Sequence, residues 1–268
     1  MRLNKNYFAL DEFINKALYD SKNGFYMRKN PFGKKGDFIT APNISILFSE
    51  MLSIWSIAFW ENLNCPKKIN LVELGGGNGE MLKQIILSSQ KFPKFNKTCN
   101  FYLYEKSPFL IKVQKSKLEK FKVVWIKNFK KVNNYPTIFI ANEFFDALPI
   151  KQFIKENNKW YEKYIDLSDS KKFEFIKKNF KIKNLESKLK IKISNNQNFI
   201  EYSPTAVNYL KKISKIILKN EGGLLIIDYG NFNNRMFDSL KIIQNHKIQN
   251  NFSKLGDADI TYDLNFTI

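Results

Sequence analysis

The sequence predicts an α/β fold: a parallel sheet with helices on both faces. Three observations carry this. Short β-branched runs alternate with amphipathic segments along much of the chain. The first buried run, Ile69-Asn70-Leu71-Val72-Glu73-Leu74, opens directly into Gly75-Gly76-Gly77-Asn78-Gly79. The chain has 268 residues, 44% of them hydrophobic and 15% aromatic, enough for one such domain with an elaboration or for two small domains.

Each element has its own signal. Leu10, Phe13, Ile14, Ala17 and Leu18 recur at helical spacing, and Gly24 can end that helix. Residues 24–42 read as a loop, with turn signals at Pro31, Gly33, Gly36 and Pro42. Ile44, Leu47, Phe48, Met51, Leu52, Trp55, Ala58 and Phe59 make an amphipathic helix. That helix is too short, and too interrupted by Ser45, Ser49, Glu50, Ser53 and Ser56, to span a bilayer. Strands are expected at 69–74, 101–105, 122–126, 137–142 and 222–230, with helices after the first two and before the last, near Pro204 to Lys219. Between the fourth and fifth strands, residues 151–167 alternate like a hairpin around Glu156-Asn157-Asn158. The lysine- and asparagine-rich stretch that follows, to about Asn198, is poorly periodic and reads as a partly mobile insertion on the sheet's substrate side. The expected division is therefore 1–60, an N-terminal helical cap with the loop Gly36 to Pro42, and 61–268, a Rossmann-like domain with an insertion at about 151–200.

The formal charge of +19 suggests nucleic acid at first sight, but its make-up argues otherwise. Arg2, Arg28 and Arg235 are the only arginines, and lysines spread over every surface form a solvated coat. Arginine is the usual bidentate reader of bases and phosphates. Cys65 and Cys99 have no metal or redox spacing, which fits a reducing compartment, and no metal-ligating pattern is present. The N-terminal segment Met1 to Phe13 has no apolar signal core. A bacterial cytoplasm, or a mitochondrial matrix if the chain is organellar, is the expected setting. No membrane insertion is expected, and nucleic acid is disfavoured as a partner.

The glycine loop narrows the chemistry. Glycines at Gly75, Gly77 and Gly79 follow a buried strand and lead into a helix, where a ligand must approach the backbone without a Cβ in the way. A dinucleotide fingerprint needs a glycine where Glu80 stands, an acid at the place of a pyrophosphate. A phosphate-binding P-loop needs a Lys-Ser/Thr that is absent. Acid-x-Gly-x-Gly-x-Gly, beginning at Glu73, instead resembles the first motif of Rossmann-like S-adenosylmethionine (SAM) methyltransferases. Glu73, Gly75, Gly77 and Gly79 are then cofactor-binding candidates. Glu105 ends the second strand, where a carboxylate can accept both ribose hydroxyl hydrogens. Asn128 and Phe129, after the third strand, are candidates for the adenine amino group and ring, with an ordinary loop as the alternative.

The resemblance becomes specific in Gly24-Phe25-Tyr26, Gly36-Asp37-Phe38-Ile39-Thr40-Ala41-Pro42, Leu71 to Gly79, Asn142 to Pro149, Ile227 to Gly230 and Gly256 to Thr261. In these words, which run in order through nearly the whole chain, it resembles the MidA-like methyltransferases. The resemblance implies a class I SAM methyltransferase fold, SAM as cofactor and dimethylation of an arginine on a protein. The protein substrate it implies is the 49-kDa-type core subunit of respiratory complex I, modified during assembly. Asp37 and Thr40 are expected to close over the cofactor, with a loop-stabilising turn as the alternative. The sequence departs from the family at Asn43, where glutamate is usual, and in the loop Gly75 to Gly79, where GPGRG is usual. The acid common near Asn128 is missing, and the final strands of a seven-stranded sheet are expected to be absent.

Asn142, Glu143 and Asp146 are the catalytic candidates. They follow strand four, where open α/β sheets bind ligands. Carboxylates can pair with a guanidinium and leave one nitrogen facing a methyl donor. If the segment is helical, the i, i+3 spacing puts both acids on one face. Alternatively Asn142 caps a helix and Glu143 only favours its dipole. Asn142 and Phe145 also invite comparison with the Asn/Asp-Pro-Pro-aromatic motif of amino-methyltransferases, but Glu143 and Phe144 replace both prolines. His246, the single histidine, is expected to be structural, and Asp228 either lines the site or caps a turn.

Overall fold

Five apolar runs form one parallel sheet in this computed structural model, which describes residues 7–28, 31, 41–132, 134–168, 173–233, 235–244, 247–249 and 255–266. The strands are β1 (Ile69–Leu74), β2 (Cys99–Tyr104), β3 (Val123–Ile126), β4 (Thr137–Asn142) and β5 (Gly222–Ile227). Their spatial order is β5-β4-β1-β2-β3, and every pairing is parallel. Every residue of β1 is buried, as a central strand covered on both faces must be. The order reverses between β1 and β4, so their C-terminal ends flank the topological switch point.

Helix α1 (Ile46–Asn62) starts where Ser45 accepts from the Leu47 N–H, and α2 (Glu80–Ser89) starts after the glycine loop. The inner face of α1 carries small groups: Ser49, Ser53 and Ser56 are buried. The Ser53 hydroxyl donates to the Ile85 carbonyl of α2 at 3.2 Å, a close approach that a bulky side chain would block. Leu52, Ile57 and Trp60 of α1 and Met81, Leu82 and Ile85 of α2 pack with Leu71, Leu103 and Ile138 of the sheet. Helices α3 (Pro108–Lys117) and α4 (Pro204–Asn220) follow β2 and precede β5. On that side Phe139 of β4 meets Phe129 (5.5 Å between ring centroids), and Phe129 and Tyr104 meet Tyr209 of α4. Helices thus cover both faces, as expected. A buried polar ladder fixes the register: Asn70 of β1 donates to Thr137 of β4 and accepts from Asn100 of β2.

By density of internal contacts the chain falls into two compact units. One comprises residues 26–144 and 209–228, which hold the parallel sheet; the other comprises 1–25, 145–208 and 229–268. The second unit has an antiparallel sheet in which Lys151–Glu156 and Lys159–Asp166 form the expected hairpin. Asn157 and Asn158 turn the chain at φ +48° and +59°, the left-handed pair of a type I′ turn. Residues beyond the hairpin are more ordered than the sequence suggests. Glu174–Phe180 pairs with Lys159–Asp166, Ile182–Leu189 is a helix, and Phe199–Tyr202 pairs with Lys151–Glu156. Leu185 and Ile200 pack on Phe153 to give this layer a core. Tyr7–Ala9 adds another strand, and the helix Leu10–Tyr19 buries the five apolar residues that predicted it. Short strands at 241–244, 247–249 and 259–261 form a small separate sheet.

Candidate cofactor-binding site

The loop from β1 to α2 needs glycine for two distinct reasons. Gly75 has φ +69°, and a Cβ built on it would lie 2.8 Å from the Phe144 ring. Gly79 has φ +81° and stands at the start of α2, where the backbone turns left-handed. A cleft open to solvent lies in front of this loop. It is lined by Gly75, Gly76, Gly77 and Asn78, by Glu73 below them, by Asn142 and Glu143 at the end of β4, and by Pro42 and Asn43. The expected juxtaposition of the glycine loop with the end of β4 is therefore present.

Glu73 is 2% exposed, and its Oε2 has no hydrogen-bond partner among the described residues. Burial, with Glu105 nearby, pushes its carboxyl up to about 8. Glu105 is also buried, and its carboxyl is raised, chiefly by desolvation. Its Oε1 accepts the N–H groups of Lys106 (2.8 Å) and Ser107 (2.9 Å), and its Oε2 accepts from Gln114 (3.1 Å). Gln114 also donates to the Gly77 carbonyl (2.9 Å), so Glu105 and the glycine loop share one tether.

Asn128 and Phe129 take other places. Asn128 is exposed, and its Oδ1 caps the turn that follows by accepting the Lys130 N–H. Phe129 is buried among Tyr104, Phe139 and Tyr209. Neither lines the cleft, nor does Glu105, which is tied to the glycine loop through Gln114. Asp37, Thr40 and His246 lie outside the described residues.

The segment after β4 corrects one expectation. It is not a helix, so Glu143 and Asp146 do not share a helical face. Glu143 has φ +47°, a left-handed conformation that stops helix growth, and its N–H donates to the Ile227 carbonyl, extending the sheet. Residues 145–148 then form a turn in the second unit, closed by Leu148 N–H to Phe145 carbonyl (3.1 Å). There Asp146 is buried and accepts from the Thr261 hydroxyl at 2.9 Å, and the Tyr262 hydroxyl donates to the Phe145 carbonyl. Burial pushes the Asp146 carboxyl up to about 6, against the lowering bond from Thr261. The words 142–149 and 256–261 thus meet through Asp146 and Thr261.

Sequence reasoning missed the roles of Gln114, Asn43 and Asn78. Asn78 Nδ2 donates to Asn43 Oδ1 at 2.8 Å, joining the glycine loop to the short helix Ala41–Ile44. These are two of the positions at which the sequence departs from the MidA-like pattern. A glutamate and an arginine there could form an ion pair; the two asparagines make a neutral bond in its place. The signal was the paired departure itself.

Comparison with known proteins now bears on this geometry. A family model described as "putative S-adenosyl-L-methionine-dependent methyltransferase" matches residues 51–268. The chain belongs to that family. Its relatives include the mitochondrial protein arginine methyltransferase NDUFAF7 of Xenopus tropicalis, 28% identical over 96% of this chain and 65% of the relative. The human protein of the same name is 27% identical over 96% and 63%, and the Caenorhabditis elegans homologue 31% identical over 88% and 60%. The chain spans just under two thirds of the length of the curated relatives it matches (65% and 64% for the two Xenopus proteins). Among solved structures, a Burkholderia thailandensis protein bound to S-adenosyl-homocysteine superposes with a TM-score of 0.82 at 18% identity, over 98% of this chain and 70% of that one. Another structure from that organism gives 0.77 over 98% and 69%. These superpositions show the fold of this methyltransferase family in the present chain.

The residues present fit the family's cofactor. The Oε2 of Glu73, buried and without a hydrogen-bond partner among the described residues, is a group that a cationic ligand would satisfy, whereas the space a Cβ on Gly75 would fill is taken by the Phe144 ring. Among the described residues no group of His, Cys, Asp and Glu is arranged to hold a metal, and no helix is long and apolar enough to cross a membrane.

Proposed function

We propose that this chain binds SAM in the cleft before the glycine loop and transfers its methyl group to an arginine of a protein substrate. The observation that carries this reading is the convergence on one cleft of the loop residues Gly75 to Asn78, the buried carboxyl of Glu73, and Asn142-Glu143 at the switch point. When bound, SAM supplies an activated methyl group, so the protein must align the acceptor, handle one proton and exclude water. In this reading Glu73 faces the cationic end of the cofactor and Glu105 accepts from the ribose hydroxyls. Glu143 pairs with the guanidinium and turns one nitrogen towards the methyl group. Asn142 offers an amide beside it. Asp146 has a weaker claim to the acceptor, because its carboxylate already holds Thr261.

The names of the relatives supply the substrate class, a protein arginine. By the same resemblance the target is the 49-kDa-type core subunit of complex I, in a mitochondrial matrix or its bacterial counterpart. A chaperone that binds SAM without catalysis is the alternative, and one assay separates the two. The wild type is incubated with methyl-labelled SAM and that subunit, and the product is analysed for methylated arginine. Label on arginine supports transfer. Saturable SAM binding without label would assign the chain to the chaperone class, and methylated bases on added RNA would overturn the protein substrate.

A further inference from the structure

We propose that Gln114 is a positioning residue of the cofactor site, holding Glu105 and the glycine loop in one geometry, and that Trp125 sets the orientation of its amide. This rests on the SAM-binding reading above. Gln114 is fully buried in an otherwise apolar row of α3, between Leu110 and Leu118. Its Nε2 donates both to the Gly77 carbonyl (2.9 Å) and to Glu105 Oε2 (3.1 Å). Its Oε1 accepts from the Trp125 indole N–H at 3.0 Å.

The chemistry leaves one orientation. An indole nitrogen only donates, so the amide oxygen must face Trp125. A peptide carbonyl and a carboxylate oxygen only accept, so both amide hydrogens must face Gly77 and Glu105. Every strong bond of the side chain is used: one N–H bond ends on the glycine loop that lines the cleft and the other on Glu105. A leucine would orphan the Glu105 oxygen and the Gly77 carbonyl. A glutamate would set an acceptor against two acceptors. Gln114 therefore acts on a bound nucleoside through Glu105, by holding the oxygen that receives the ribose hydroxyls.

The test uses two ligands: S-adenosyl-homocysteine and an analogue lacking both ribose hydroxyls. Calorimetry gives the affinity of each for the wild type, Gln114→Leu and Trp125→Phe. If the proposal holds, Gln114→Leu loses roughly tenfold in affinity for S-adenosyl-homocysteine, the worth of one charge-assisted bond. The hydroxyl-free analogue, already weak on the wild type, loses less than twofold further. Trp125→Phe, which keeps the amide but frees its orientation, shows the same selective loss to a smaller degree, and carries the test alone if Gln114→Leu does not fold. Equal losses for both ligands would reduce Gln114 to a structural support and overturn its positioning role while leaving the SAM reading intact. No saturable binding of S-adenosyl-homocysteine to the wild type would overturn the SAM reading, and this role with it.

Discussion

Glu143 holds a left-handed conformation, φ +47°, that costs a non-glycine residue on the order of 1 kcal/mol or more. Strain at the end of a strand, beside a cleft, is the pattern of a residue kept for its side chain. Replacing Glu143 with glycine should therefore raise stability by about 1 kcal/mol while abolishing methyl transfer. Urea unfolding and the transfer assay check the two halves; a destabilised variant would show that the Glu143 side chain also supports the fold. Glu73 makes a second prediction. Its carboxyl is raised from 4.5 to about 8, so over that interval the unfolded chain ionises while the folded chain stays protonated. Folded stability from this site is present below pH 4.5 and falls as pH rises to about 8. Glu73→Gln should escape that loss, so its stability advantage should grow between pH 5 and 8, by a few kcal/mol at most. Because Glu105 contributes to the shift, the pair titrates together, and the difference reports on both. Melting curves of the two proteins across that range would show a constant gap if Glu73 ionised normally.

At the scale of elements, the sequence was legible wherever the pattern was local. The strands at 69–74 and 137–142 match their expected bounds, and helices α2, α3 and α4 lie where periodicity placed them. The elements between Leu167 and Ser203 were not legible, because Glu174–Phe180 is a largely exposed strand whose pairing with Lys159–Asp166 supplies the order. The strand Tyr7–Ala9 depends likewise on Tyr164 to Asp166, far along the chain. The helical reading of Glu143 to Asp146 failed because spacing alone does not reveal backbone strain. The hairpin offers an element-scale prediction. Asn158 sits at φ +59°, so Asn158→Gly should keep or slightly raise stability, whereas Asn158→Val should cost about 1–2 kcal/mol. Neither should alter SAM affinity. Equal effects of the two changes on urea unfolding would contradict the type I′ turn.

Across the whole molecule, the candidate site was legible as a list of residues but not as a set of roles. The glycine loop, Glu73, Asn142 and Glu143 line one cleft, as their positions at strand ends implied. Glu105 joins that list through Gln114, a residue whose importance lies in the three partners it reaches and not in any motif. Asn128 and Phe129 follow local needs, a turn cap and an aromatic core. Among the described residues the cleft is lined by Glu73, Glu80 and Glu143 and by no lysine or arginine. A lining without cations among the described residues offers a phosphate no partner. It also predicts that SAM binding depends weakly on salt, because Glu73 is buried beyond easy screening. A steep loss of affinity between 50 and 200 mM salt, of the kind phosphate contacts give, would count against this site.

In the proposed reading Glu143 holds the acceptor in front of a methyl donor bound by the glycine loop. The most direct test is single-turnover methyl transfer by Glu143→Gln to the complex I core subunit, with SAM affinity measured on the same preparation. Transfer should fall at least about a hundredfold, with SAM affinity within about threefold of the wild type. Transfer at the wild-type rate would contradict it.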